Sequence, residues 1–322
     1  MRFRNGLTFL LLAIAAPLAS MATERPSSWS DCSYLVVNQT YGNQFNGFLN
    51  VPAYFRPFGI TPPPGLGVVP NGGLGTMKFL PDGKMTNTET LSIGMIGLQR
   101  DLPIKGTYSV AWDTDRSPIV CSGTVQGFDP SGTQYNFAME VSNDGGTVNL
   151  IHTDPGLIVS VLMSRMHTGR CSNDTINANY AVNGQGWVLG AILGAQPAEE
   201  LGGYVPGSAV GSIRFHPYAS PSGFSDAPAG AGTFDWWDTL ALNGMIIPRV
   251  ATGWYKINPD CTGMMTKRDN TGAPDSHLEL LVGKDGGMVY NVTLDTVTIP
   301  NGMTIPAHVL AMTFDRMNDS RR

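Results

Sequence analysis

Apolar and polar positions alternate with a period of two along much of the chain. Tyr135-Asn136-Phe137-Ala138-Met139-Glu140-Val141 alternates in this way, and Leu278-Glu279-Leu280-Leu281-Val282 repeats its apolar parity. Successive side chains of a strand point to opposite faces, so both runs read as half-buried strands. Leu157 to Arg165 and Ala307 to Arg316 behave alike: Val159, Val161, Met163 and Arg165 share one face, as do His308, Leu310, Met312, Phe314 and Arg316. Asn38 to Leu49 and Asn177 to Leu189 are aromatic and glycine-bearing and suit a first strand. Turn signals stand between the runs, among them Pro81-Asp82-Gly83, the two Asp-Gly-Gly triplets at 144–146 and 285–287, Thr153-Asp154-Pro155-Gly156 and Pro300-Asn301-Gly302. No segment beyond the N-terminal leader carries a helical period, and the predicted class is all-β.

The elements occur twice. Gly253-Trp254-Tyr255-Lys256-Ile257 followed by Asp260-Cys261-Thr262-Gly263 has an edited copy in Gly106-Thr107-Tyr108-Ser109-Val110 and, after seven extra residues, Cys121-Ser122-Gly123. Gly67 to Phe79 aligns without a gap on Gly203 to Phe215, with five of thirteen positions identical. Self-similarity this dense, in register with matched cysteines, is the mark of a repeated module. Copy two differs by a longer Ser/Pro/Gly/Ala loop from Ala219 to Gly232, and insertions of that kind belong in loops.

Four cysteines allow three pairings, and the repeat chooses among them. Cys32 to Cys121 and Cys171 to Cys261 span 89 and 90 residues, so pairing within each half closes two nearly equal loops. The predicted organisation is a leader over 1–22, a first module over 23–168 and a second over 169–322. In the leader, Arg2 and Arg4 precede the apolar run Leu7 to Ala16 and the small-x-small site Ser20-Met21-Ala22, the pattern of an export signal. Disulfides agree with an oxidising compartment, secreted or periplasmic. No other stretch approaches about 20 consecutive apolar residues, so no integral membrane segment is expected after cleavage.

Composition narrows the function classes. Charged residues make up 14% of the 322, the net charge is −5, and no block of lysine or arginine offers a phosphate-tracking surface, which argues against nucleic acid as a partner. The 39 glycines and 23 prolines lie between apolar runs without a collagen-like period and punctuate short strands. No metal-ligand spacing, Walker loop or HExxH is present, and no cofactor is expected. His152, His167, His216, His277 and His308 lie far apart without paired spacing and read as surface or strand histidines.

The order of motifs resembles a group of exported, mostly uncharacterised bacterial proteins with an allene-oxide-cyclase-like barrel. It runs Gly-Thr-Tyr, a downstream Asp-Cys-Thr-Gly, Asp-Gly-Gly, Thr-Asp-Pro-Gly and a strand ending in arginine. The match is split, because copy two holds Asp260-Cys261-Thr262-Gly263 and copy one holds Thr153-Asp154-Pro155-Gly156, while Val120-Cys121-Ser122-Gly123 departs from it. The resemblance implies two tandem small antiparallel β-barrels of the calycin type. It assigns no catalytic residue to this chain, since that barrel hosts cyclases and plain binding proteins alike.

Three features stand out as candidate ligand contacts. Arg165 and Arg316 end strands on the apolar, inward parity, where a guanidinium would fix an acidic headgroup or serve an internal ion pair. Tyr108 and Tyr255 share the faces of Val110 and Ile257 and would offer a phenol to a lumen or pack in the core. Phe234-Asp235-Trp236-Trp237-Asp238 has no counterpart in copy one; Trp236 and Trp237 would stack on a sugar, or alternate in and out along one strand. These features predict an exported protein that binds a small, apolar or amphipathic molecule in a barrel lumen, without catalysis of its own. Two alternatives stay open: a cyclase or isomerase acting on a reactive substrate in the barrel, and a glycan- or protein-binding interaction module.

Overall fold

The computed structural model describes residues 31–52, 67–116, 119–190, 203–242, 244–298, 302 and 304–317, so the leader lies outside the described residues. The first barrel is a meander of β1 (Thr40–Asn50), β2 (Val68–Phe79), β3 (Lys84–Ile93), β4 (Gly97–Asp113), β5 (Val120–Phe128), β6 (Gln134–Val141), β7 (Thr147–His152) and β8 (Leu157–Arg165). It closes where β8 pairs with β1, Tyr41 opposite Arg165 and Leu49 opposite Leu157. The second barrel uses β9 (Asn179–Leu189), β10 (Tyr204–His216), β11 (Gly232–Leu242), β12 (Met245–Ile257), β13 (Thr262–Asp269), β14 (Ser276–Gly283) and β15 (Met288–Thr293). Its eighth strand, β18 (His308–Arg316), follows a small hairpin of β16 (Thr296–Thr298) and β17 (Thr304–Pro306) and closes on β9. The fold is all-β, two closed eight-stranded antiparallel barrels in tandem. Closure removes the free strand edges that a short open sheet would expose. Among the described residues no helix is long and apolar enough to cross a membrane.

The predicted parities are met. Val159, Val161 and Met163 turn into the first core, and Met312 and Phe314 into the second. The disulfides join Cys32 to Cys121 and Cys171 to Cys261, as the equal loops require. Each bridge lies at the closed end of its barrel, beside an aromatic plug. Tyr41, Phe79 and Tyr108 pack edge to face at 5.7 and 4.8 Å, and Tyr180, Phe215 and Tyr255 repeat the arrangement at 5.5 and 4.8 Å. Tyr41 and Tyr180 each donate a 2.6 Å hydrogen bond to a turn carbonyl, of Gly145 and Gly286. Those glycines hold φ of 64° and 79°, a left-handed conformation that explains why both turns are Asp-Gly-Gly.

The barrels pack side by side. Gln44 on β1 donates to the carbonyls of Asn291 (3.1 Å) and Met312 (2.9 Å), and Thr90 on β3 donates to Glu279 at 2.8 Å. Leu74 joins the buried cluster of the second barrel, and Gly42 leaves room for Leu281 and Tyr290. Outward positions such as Leu74 on β2, Leu281 on β14 and Tyr290 on β15, which a lone barrel would expose, are therefore apolar, with Gln44 and Glu279 satisfied by partners across the contact. Burial of Leu281 and Tyr290 there contributes on the order of 1.5–3 kcal/mol each.

Candidate functional site

The first barrel is hollow above its aromatic plug. A cavity of about 230 Å³ lies between Met77 and Met85 below and Leu49, Ile93 and Leu157 near the mouth. Phe45, Ile104, Phe137, Val159 and Val161 form most of its wall, and into this apolar surface project Asn71, Asn87, Glu89 and His152. Pairing explains the placement: β3 alternates, so Met85, Asn87 and Glu89 share the inward face, opposite Phe79, Met77 and Gly75 on β2. Gly75 is required there, because an added Cβ would fall 2.8 Å from Cγ of Glu89 and 2.4 Å from the carbonyl oxygen of Thr88. Beyond Glu89 the β3–β4 register shifts, Asp101 adopts φ 53°, and the bulge sends Arg100 outward to within 3.9 Å of Glu279.

Glu89 ends a short polar chain. Asn43 donates from Nδ2 to Asn87 Oδ1 at 3.1 Å, and Asn87 donates from Nδ2 to Glu89 Oε1 at 2.5 Å. Glu89 is half-buried and lines the hollow. Burial pushes its pKa up to about 7, and the Asn87 hydrogen bond offsets part of that rise. On the opposite wall, His152 Nδ1 accepts the Asp154 backbone N–H at 3.2 Å, which leaves the ring proton on Nε2. Burial lowers the His152 pKa, against the opposing pull of Asp154, and its ring packs edge-on against Phe137 at 4.6 Å. Three buried atoms on inward-facing residues have no hydrogen-bond partner: Oδ1 of Asn43, Oδ1 of Asn71 and Nε2 of His152, on residues only 0%, 6% and 9% exposed, and of these Asn71 and His152 line the cavity. Each such atom costs about 1–3 kcal/mol when left unsatisfied.

The second barrel fills the same space. Glu89 lies opposite Gly75, and Asp238 lies opposite Gly211, which is the aligned glycine of the repeat. Across the next pair, Glu89 faces Leu102, whereas Asp238 faces Arg249. Arg249 donates from Nε to Asp238 Oδ1 at 2.8 Å and from Nη2 to Oδ2, and its Nη1 lies 3.7 Å from Asp269. Where the first barrel has Gly127 opposite Gly106, the second has Lys267 opposite Gly253. Lys267 Nζ stands 4.7 Å above the Trp236 ring, whose counterpart is Asn87. Burial holds the Lys267 pKa down to about 8, and the adjacent Arg249 lowers it further against the pull of Asp238 and Asp269.

The residues singled out from sequence are dispersed. Tyr108 donates to the Leu80 carbonyl at 2.9 Å and Tyr255 to the Asn173 carbonyl at 3.2 Å, both within the aromatic plugs. Arg165 donates from Nη2 to the Asp144 carbonyl at 3.1 Å, at the closed end below the plug and away from the hollow. Arg316 is exposed at the matching end of the second barrel, in register with Tyr180. Trp236 is wholly buried, while Trp237 points outward and is 47% exposed. Glu89 and His152 are the residues that sequence reasoning passed over. The signal that points to Glu89 is its inward parity with Met85 and Leu91, and His152 carries the same signal in its parity with Val148 and Leu150 on β7.

A second, open concavity of about 960 Å³ runs between the barrels, past Phe48, Ile158, Trp187 and Pro206. Phe48 and Trp187 meet edge-on in it at 4.8 Å. Fold and site together define a tandem-barrel protein with a hollow in the first lumen at the level that Trp236, Arg249 and Lys267 occupy in the second. In comparisons with known proteins, no family model, curated protein or solved structure matches this chain.

Proposed function

We propose that this is an exported binding protein that holds a small, largely apolar molecule in the lumen of its first barrel. The observation that carries the reading is the hollow itself: an apolar cavity lined by Asn71 and His152, each with an unpartnered buried polar atom, at the level that Trp236, Arg249 and Lys267 occupy in the second barrel. Apolar pockets with a few convergent polar groups are the usual form of a ligand site. The two disulfides and the leader-like start of the chain support export, and the type of barrel that the motifs resemble hosts binding proteins as well as cyclases. Native mass spectrometry of the full chain tests the reading. A bound small molecule is expected, and Asn87→Trp, which copies Trp236 into the hollow, should expel it while the circular dichroism spectrum is kept. The same adduct retained in Asn87→Trp would overturn the assignment to this lumen.

One observation favours a cyclase or isomerase as the second reading. Burial raises the pKa of Glu89 to about 7 inside a lumen lined mostly by apolar side chains, which is the condition for a carboxyl to act as a general acid near neutral pH. Conversion of the trapped molecule by the wild-type chain, lost in Glu89→Gln, would decide for catalysis.

A further inference from the structure

Resting on the lumen-binding reading, we propose that the molecule held in the first barrel is an organic cation, an amine or amidine on an apolar body, whose charged group sits against Glu89. The second barrel supplies the precedent within the chain. Its carboxylate at the same register position, Asp238, is met by the guanidinium of Arg249 and lies near Lys267, whose ammonium stands over Trp236. In the first barrel those cations are replaced by Leu102 and Gly127, and the aromatic by Asn87. The carboxyl stays and the space its partner would fill is empty.

The groups facing that space have one sign. Glu89 is within it, Asp129 is at the mouth, and Asp154 stands behind His152. Among the described lining residues none is lysine or arginine. The arginines that might have reached it are turned elsewhere, Arg165 to the Asp144 carbonyl and Arg100 to Glu279. A carboxylate ligand would therefore enter an acidic lumen without a partner.

Hydrogen-bonding capacity agrees. An ammonium only donates, and two unpartnered atoms on the β1–β2 wall, Oδ1 of Asn43, whose amide is linked to Glu89 through Asn87, and Oδ1 of Asn71, opposite Ile93 nearer the mouth, only accept. A buried donor without a partner, Nε2 of His152, lies across the lumen on β7 and would take an acceptor at the far end of the same molecule. Phe45, Phe137, Met77 and Met85 complete a polarisable wall suited to a desolvated cation. The volume equals that of about eight waters, taking roughly 30 Å³ for each water of liquid, the scale of a small arylalkyl amine.

Calorimetric titration of the full chain at pH 8 with 2-phenylethylamine, 2-phenylethanol and phenylacetate tests this. The three share one body and differ in charge. The amine should bind about tenfold or more tightly than the alcohol, and phenylacetate most weakly. In Glu89→Gln the preference for the amine should fall to about parity, and in Leu102→Arg, which supplies the second barrel's own cation, amine binding should be lost. Circular dichroism and melting of both variants establish that they fold. Equal affinity for amine and alcohol in the wild type would overturn the cation and leave the lumen as the binding site. Failure of all three to bind, with Asn87→Trp indistinguishable from the wild type, would overturn the lumen reading along with it.

Discussion

Glu89 and Asp238 occupy one position in two copies of a barrel, each facing a glycine on the preceding strand, yet only Asp238 has an arginine beside it. Leu102 stands where Arg249 would be. The difference should be transferable. In Leu102→Arg the guanidinium has the register to reach Glu89, and the carboxyl should then titrate in the ordinary range, well below its present value of about 7. Carbon-13 NMR of the glutamate side chains would follow it. An unmoved titration would mean that the bulge at Asp101 keeps the two apart.

Glu89 also sets the sign of one pH effect. Its pKa is raised from 4.5 in the unfolded chain to about 7, so between those values the folded state binds the extra proton. This contribution is fully present below about pH 4.5, falls by up to about 1.4 kcal/mol per pH unit and is lost by about pH 7. Asp82, Asp144, Asp269 and Asp275, all with lowered pKa values, and His152, held neutral by burial, slope the other way. The difference in stability between the wild type and Glu89→Gln isolates the effect, and urea melts at pH 5 and pH 8 should show the wild type losing ground to the variant at the higher pH.

The adjacent tryptophans should part company. Trp236 is 0% exposed and supports Lys267 and Phe314, so Trp236→Ala is expected to cost about 3–5 kcal/mol. Trp237 faces outward, and Trp237→Ala should stay within about 0.5 kcal/mol of the wild type. Thermal melts of the two variants check this, and equal losses would contradict the in-and-out placement on β11.

Arg165 braces the turn at the closed end, and its loss should be felt in stability alone. Arg165→Met removes the hydrogen bond to Asp144 and is expected to cost about 1–2 kcal/mol, with binding of 2-phenylethylamine unchanged. Arg316→Met, at an exposed strand end, should change neither by a measurable amount. Weakened binding in either variant would place the guanidinium nearer the ligand than its contacts indicate.

Local alternation and the spacing of the cysteines determined the all-β class, the tandem modules, both disulfides and the inward parity of β8 and β18. Those properties depend on a two-residue period and on repeats that can be aligned, and both can be read along one dimension. Which lumen is hollow was decided only by the tertiary structure. The equivalence of Glu89 with Asp238 is hidden because Pro81-Asp82-Gly83 in one copy answers a loop of more than a dozen residues in the other, and the alignment breaks between them. Filling a barrel depends on side chains from eight strands meeting at one level. Asn87, Leu102 and Gly127 together leave a space that Trp236, Arg249 and Lys267 together occupy, and none of the six reveals it alone. His152 shows the same limit: its spacing from Val148 and Leu150 turns it inward, but only the pairing of strands puts Phe137 against it and a hollow before it.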